Sequence, residues 1–157
     1  MKFKGHKVLV IGDTHDSPHI PQDRFRWIGK HIQKVKPDYI VHIGDFSSFD
    51  SLSFFQKNSS QQGKLKDDFM VDVESMRKAF KILDKYVSNI PRHICIGNHE
   101  LRVHRFEENI PEIKGMMKEA LYNTYKEFGW THTEYGEFKN IAGVSFVHCP
   151  LNIMGKE

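Results

Sequence analysis

Aspartate, histidine and asparagine recur in this chain directly after short apolar runs that end in glycine. Val8-Leu9-Val10-Ile11-Gly12 leads into Asp13-Thr14-His15, Tyr39-Ile40-Val41-His42-Ile43-Gly44 into Asp45, and His93-Ile94-Cys95-Ile96-Gly97 into Asn98-His99-Glu100. Carboxylate oxygen, imidazole nitrogen and amide carbonyl are donors that hard and borderline divalent metals accept. Taken alone, Asp13-x-His15 and Gly44-Asp45 also read as ordinary turns. Gly97-Asn98-His99-Glu100 is more specific, because a capped helix start explains the Asn but neither the His nor the Glu. A lone His148 after the apolar run at Val144 reads by itself as a hydrogen-bonded edge histidine. In order along one chain, the four blocks favour a metal site.

The elements that position these residues follow from periodicity. Short β-branched runs with near-continuous hydrophobicity read as strands buried on both faces, as in a parallel sheet. A Gly after each run lets the chain turn, so the next side chain projects from the strand's carboxyl end, where open α/β sheets gather their ligands. Phe25, Ile28, Ile32 and Val35 recur at helical spacing between Pro21 and Lys36, and Pro37 stops that helix. Strand, helix, strand at this length is a βαβ crossover. Phe46 to Lys66 is polar, rich in Ser and Gln, and without clear period. Phe69, Val73, Met76, Phe80, Leu83 and Val87 then mark a helix from about Asp67 to Ser88. Leu101 to Asn109 reads as helix as far as Pro111, and Ile113, Met117, Leu121 and Tyr125 predict another ending near Gly129. Thr131 to Lys139 and Val144 to His148 read as an antiparallel hairpin joined by Asn140-Ile141-Ala142-Gly143.

At 157 residues the chain is expected to form one domain spanning 1–157, long enough to bury a core. No apolar run approaches the roughly 18 residues of a membrane span, and the strand after the basic start is too short for a secretory signal. Cys95 and Cys149 form no C-x-x-C pair, so neither a disulfide framework nor a zinc knuckle is expected, and a cytoplasmic location is. The net charge of +3 permits an anionic substrate without marking a nucleic-acid stripe, since acidic residues are interspersed.

With these blocks in place the chain resembles the calcineurin-like metallophosphoesterases, whose pattern is D-x-H, G-D, G-N-H-[D/E], a lone His, then G-H-x-H. The resemblance runs from Lys7 to His148 and covers four of the five blocks. Gly44-Asp45-Phe46-Ser47-Ser48-Phe49-Asp50-Ser51-Leu52-Ser53, with Gly97-Asn98-His99-Glu100-Leu101-Arg102, is similar to phage-encoded members. The resemblance implies an α/β fold, a two-sheet sandwich flanked by helices (αββα), here C-terminally incomplete because no Gly-His-x-His follows His148.

It also implies that Asp13, His15 and Asp45 hold one divalent ion and Asp45, Asn98 and His148 a second, with His99 beside the scissile phosphate assisting the leaving oxygen. A carboxylate can bridge two ions, and a neutral Asn carbonyl keeps such a site from over-charging. Two ions about 3.5–4 Å apart clamp both ends of an in-line displacement at phosphorus. Manganese is the expected metal, with zinc and iron open.

The expected activity is hydrolysis of a phosphate ester, a phosphodiester ahead of a monoester, with nucleic acid or a nucleotide among candidate substrates. Asp-Arg-Gly, typical after Gly-Asp in the serine/threonine phosphatase branch, is absent here. The rival expectation is a non-catalytic binding module that keeps the fold with an incomplete metal site. An incomplete second sheet would leave an edge open to self-association. Arg102 is a candidate for substrate phosphate; surface pairing of Arg102 and Arg105 with Glu107 or Glu108 is the plainer expectation. Phe46, Phe49, Phe54 and Phe55 are expected to anchor their segment rather than stack on bases. His6, His19, His31, His104 and His132 have no position that recommends them as ligands, and His42 and His93 are expected to be satisfied core residues.

Overall fold

A computed structural model describes residues 5–53, 68–87 and 89–151. Strands β1 (Val8–Ile11), β2 (Tyr39–His42), β3 (Arg92–Cys95) and β4 (Trp130–Thr133) form one parallel sheet in the order β1-β2-β3-β4. Helix α1 (Asp23–Val35) links β1 to β2, and α2 (Phe69–Val87) precedes β3. Helices α3 (Leu101–Glu108) and α4 (Met116–Glu127) lie between β3 and β4. When sequential strands are parallel neighbours, right-handed crossovers bring every helix to the same face.

The pleat then divides the strand residues between the two faces. Ile11, Ile40, Ile94, Ile96 and Trp130 join Phe25, Ile32, Met76, Phe80, Leu121 and Tyr125 of the helical side in one core. In register on the opposite face run Val10, Val41, His93 and Thr131. Lys36 ends α1 in the left-handed region at φ 49°, its N–H reaching the Ile32 carbonyl, and Pro37 disfavours continuation.

The segment after Asp45 is fastened by aromatic rings. Phe46 stacks on Phe80 at 4.0 Å and on Phe25 at 5.2 Å, and Phe49 stacks on Phe69 at 6.0 Å. Both phenylalanines are fully buried, so they anchor the chain as expected. Phe54 and Phe55 lie outside the described residues.

Two expectations are corrected. The run from Thr131 to Lys139 is not one hairpin strand: its first part is β4, which pairs parallel with β3, and the chain turns at Glu134–Glu137, where Gly136 has φ 80°. The antiparallel hairpin is shorter, β5 (Lys139–Ile141) with β6 (Val144–Phe146), and His148 follows it rather than closing it. Ala142 and Gly143 both take positive φ, 52° and 81°, as a two-residue type I′ turn requires. Ile113 belongs not to α4 but to a single 3₁₀ turn, Pro111–Ile113. The Glu107 carboxylate caps the true start of α4 by accepting the amides of Gly115, Met117 and Lys118.

Candidate metal centre

The loops leaving β1, β2 and β3 meet at the carboxyl edge of the sheet. Asp13, His15 and Asp45 all sit in the left-handed region, with φ of 39°, 45° and 52°. Such a conformation costs a non-glycine residue about 1–3 kcal/mol and persists where surrounding structure over-determines it. Here the first two loops are laced together. The His15 amide donates to the Asp45 carbonyl (2.9 Å), the Asp16 amide to the Phe46 carbonyl (2.7 Å), and the Ser48 amide returns to the Asp16 carbonyl (2.8 Å). Gly44, at φ 107°, admits the third loop, since a Cβ there would lie 2.6 Å from His148 Nδ1 and 2.9 Å from the Gly97 Cα.

Asp45 stands where the donors converge. Two groups share it, His15 with Asp45 and His99, and Asp13 with Asp45 and His148, the ligand atoms of each lying within 4.8 Å of one another. His148 and His15 place Nε2 at 3.7 and 3.8 Å from Asp45 Oδ2. His148 Nε2 also lies 2.9 Å from Asn98 Oδ1, while its Nδ1 lies 2.8 Å from the Ile43 carbonyl. A carbonyl only accepts, so in the neutral ring Nδ1 carries the proton and Nε2 is the nitrogen open to a cation. That nitrogen, Asn98 Oδ1 and Asp45 Oδ2 make a mixed nitrogen and oxygen donor set that fits a divalent cation. The structure thus gathers Asp13, His15, Asp45, Asn98, His99 and His148, but sets Asp13 beside His148 and His99 beside His15. Their T-shaped rings are 4.5 Å apart.

Two buried groups beneath the loops had no role assigned from sequence. Glu100 is fully buried. Its Oε2 accepts the amides of Asp45 and Gly97, both at 3.0 Å, and its Oε1 that of Ser47 at 3.1 Å. Burial raises its pKa to about 7 against the lowering effect of these amides, with the Asp45 charge adding to the rise. His42 is satisfied, as expected, but by the metal loops. Its Nδ1 lies 3.3 Å from the Gly44 amide and its Nε2 3.1 Å from Thr14 Oγ1. Burial, reinforced by His148 and His15, lowers its pKa to about 3, so the ring is neutral. Glu100 stood within a recognised motif; the one signal for His42 was a histidine three residues before Asp45.

His99 and Arg102 meet at one carbonyl. The Ser48 oxygen accepts from His99 Nδ1 (2.9 Å) and Arg102 NH1 (2.7 Å), and Arg102 NH2 lies 3.4 Å from His99 Nε2. Arg102 also pairs with Asp50 at 3.5 Å. It therefore faces the centre rather than Glu107, whose carboxylate is spent on α4, and Arg105 is the exposed one. Burial lowers the His99 pKa, and neighbouring Arg102 lowers it further.

The sequence profile of the calcineurin-like phosphoesterases matches residues 6–150. The Gene 54 protein of Mycobacterium phage D29 is 26% identical over 129 residues, covering 80% of this chain and 49% of that protein. The chain thus spans about half the length of this relative. That family implies divalent metal ions, in keeping with the donors gathered around a shared aspartate, and a profile match over almost the whole sequence places this chain in the calcineurin-like phosphoesterase family.

Proposed function

We propose that the chain is a dinuclear metal-dependent phosphoesterase, acting on a phosphodiester in preference to a monoester. The observation that carries this reading is the convergence of His148 Nε2, Asn98 Oδ1 and Asp45 Oδ2. Asp45 would be shared, with Asp13 and His15 completing one site and Asn98 and His148 the other. Mixed nitrogen and oxygen donors without thiolate suit Mn²⁺. When bound, such ions polarise phosphoryl oxygens and lower the pKa of water.

The chain's own residues would grip the substrate from the side of α3. Arg102 carries a guanidinium next to His99, and a planar fork suits a phosphate oxygen. One guanidinium matches the single charge of a diester better than the two charges of a monoester. His99 holds its proton at Nδ1 against Ser48, which leaves Nε2 as an acceptor facing the Arg102 guanidinium at 3.4 Å, so a substrate oxygen would enter between the two. Nucleic acid and nucleotides are the diester sources the family resemblance and mild positive charge favour.

The test compares initial rates on bis-p-nitrophenyl phosphate and p-nitrophenyl phosphate with Mn²⁺. A higher kcat/KM for the diester is expected; a clear monoester preference would overturn the substrate reading.

A further inference from the structure

The row of the sheet that holds His42 calls for an apolar residue. Its register partners are Ile11 on β1 and Ile94 on β3, and the Phe46 ring lies 5.2 Å away. A fully buried imidazole there carries a desolvation cost that a Phe or Leu would not.

The hydrogen bonds account for the polar ring. The Thr14 hydroxyl lies 3.0 Å from the Phe46 carbonyl and must donate to it. Its oxygen is then left to accept, so the bond to His42 has Nε2–H as donor. Nδ1, being unprotonated, accepts the Gly44 amide. One neutral tautomer satisfies every partner, running Gly44 N–H to Nδ1, Nε2–H to Thr14, and Thr14 O–H to Phe46. Each end of this chain of bonds lies beside Asp45, and its middle is Thr14. That threonine sits between Asp13 and His15, both in the left-handed region.

We propose that His42 is a positioning residue for the metal centre: through the Thr14 hydroxyl it fixes the loop bearing Asp13 and His15 against the loop bearing Asp45. This rests on the reading of those residues as metal ligands. Groups that orient ligands from behind typically govern metal affinity by about 10–100-fold. Thr14 is only half-buried, so removing its hydroxyl tests the link with little disturbance of the core.

Mn²⁺ titrations of the full chain would compare wild type with Thr14→Val, Thr14→Ser, His42→Phe and the Thr14→Val/His42→Phe pair. Thr14→Val and His42→Phe should each weaken Mn²⁺ binding by about tenfold or more, with Thr14→Ser within about threefold of wild type. The pair should be no weaker than the worse single variant, because both remove the same link. Imidazole ¹⁵N shifts should show His42 protonated at Nε2 in wild type. If His42→Phe does not fold, Thr14→Val against Thr14→Ser still decides. Unchanged Mn²⁺ affinity in Thr14→Val, losses that multiply in the pair, or the other tautomer would overturn the positioning role alone. A wild-type chain that binds no Mn²⁺ would overturn the metal reading and the proposal with it.

Discussion

The Glu100 carboxylate lies 3.0 Å from the Asp45 amide, so the residue shared by both donor groups is held from behind by a buried acid of another loop. The same carboxylate takes the Gly97 and Ser47 amides, tying the β2 and β3 loops together at a point closed to bulk solvent. Glu100→Gln keeps the shape but turns an N–H₂ toward at least one of these donors. Leaving a buried donor without a partner costs about 1–3 kcal/mol. Urea unfolding should show that loss, and Mn²⁺ titration a weaker centre. Unchanged stability and affinity would show that the clamp is dispensable.

Arg102 should act on substrate rather than on metal. Its two nitrogens divide between the Ser48 carbonyl and His99 Nε2, a fork that lysine cannot reproduce. Arg102→Lys and Arg102→Ala should both raise KM for bis-p-nitrophenyl phosphate, by about tenfold for loss of a charge-assisted hydrogen bond. Mn²⁺ affinity should stay near that of wild type. Steady-state kinetics beside the metal titration separates the two; a fall in metal affinity with KM unchanged would place Arg102 in the wrong role.

Acid should destabilise the fold through His93, far from the metal loops. Its ring nitrogens lie 2.7 Å from Thr131 Oγ1 and 3.2 Å from Thr133 Oγ1. Burial lowers its pKa to about 4, with Lys139 and His132 opposing its protonation as well. Because the folded pKa lies below that of the unfolded chain, the contribution is whole above about pH 6.5 and declines toward pH 4, by at most roughly 1.4 kcal/mol per pH unit. Denaturant unfolding at pH 7.5 and pH 5.0 should show the loss, and His93→Gln should flatten part of it. Equal pH dependence in the two proteins would exclude His93 as a source.

The three strand-glycine-donor blocks were readable because each is local: β-branched runs, a turn residue, then a polar side chain. Long-range pairing was not. Thr131 to Lys139 reads as one strand, and only the turn at Gly136 and the parallel partner β3 divide it. Nor does spacing reveal that His42 bonds Thr14, 28 residues away, or that Glu100 reaches Asp45 across 55. Burial of a polar group becomes informative once its partners are placed. Arg102, one residue into α3, was as consistent with a surface ion pair until the fold set Ser48 beside it.

Asp45 belongs to both donor groups, which makes Mn²⁺ stoichiometry of wild type against Asp45→Asn the most direct measurement. Isothermal titration, with Asp45→Asn folding checked by circular dichroism, should show two Mn²⁺ per wild-type chain and binding abolished or greatly weakened at both sites in the variant. A wild-type chain that binds no Mn²⁺, or a folded Asp45→Asn that binds two ions as tightly as wild type, would contradict a dinuclear centre built on this residue.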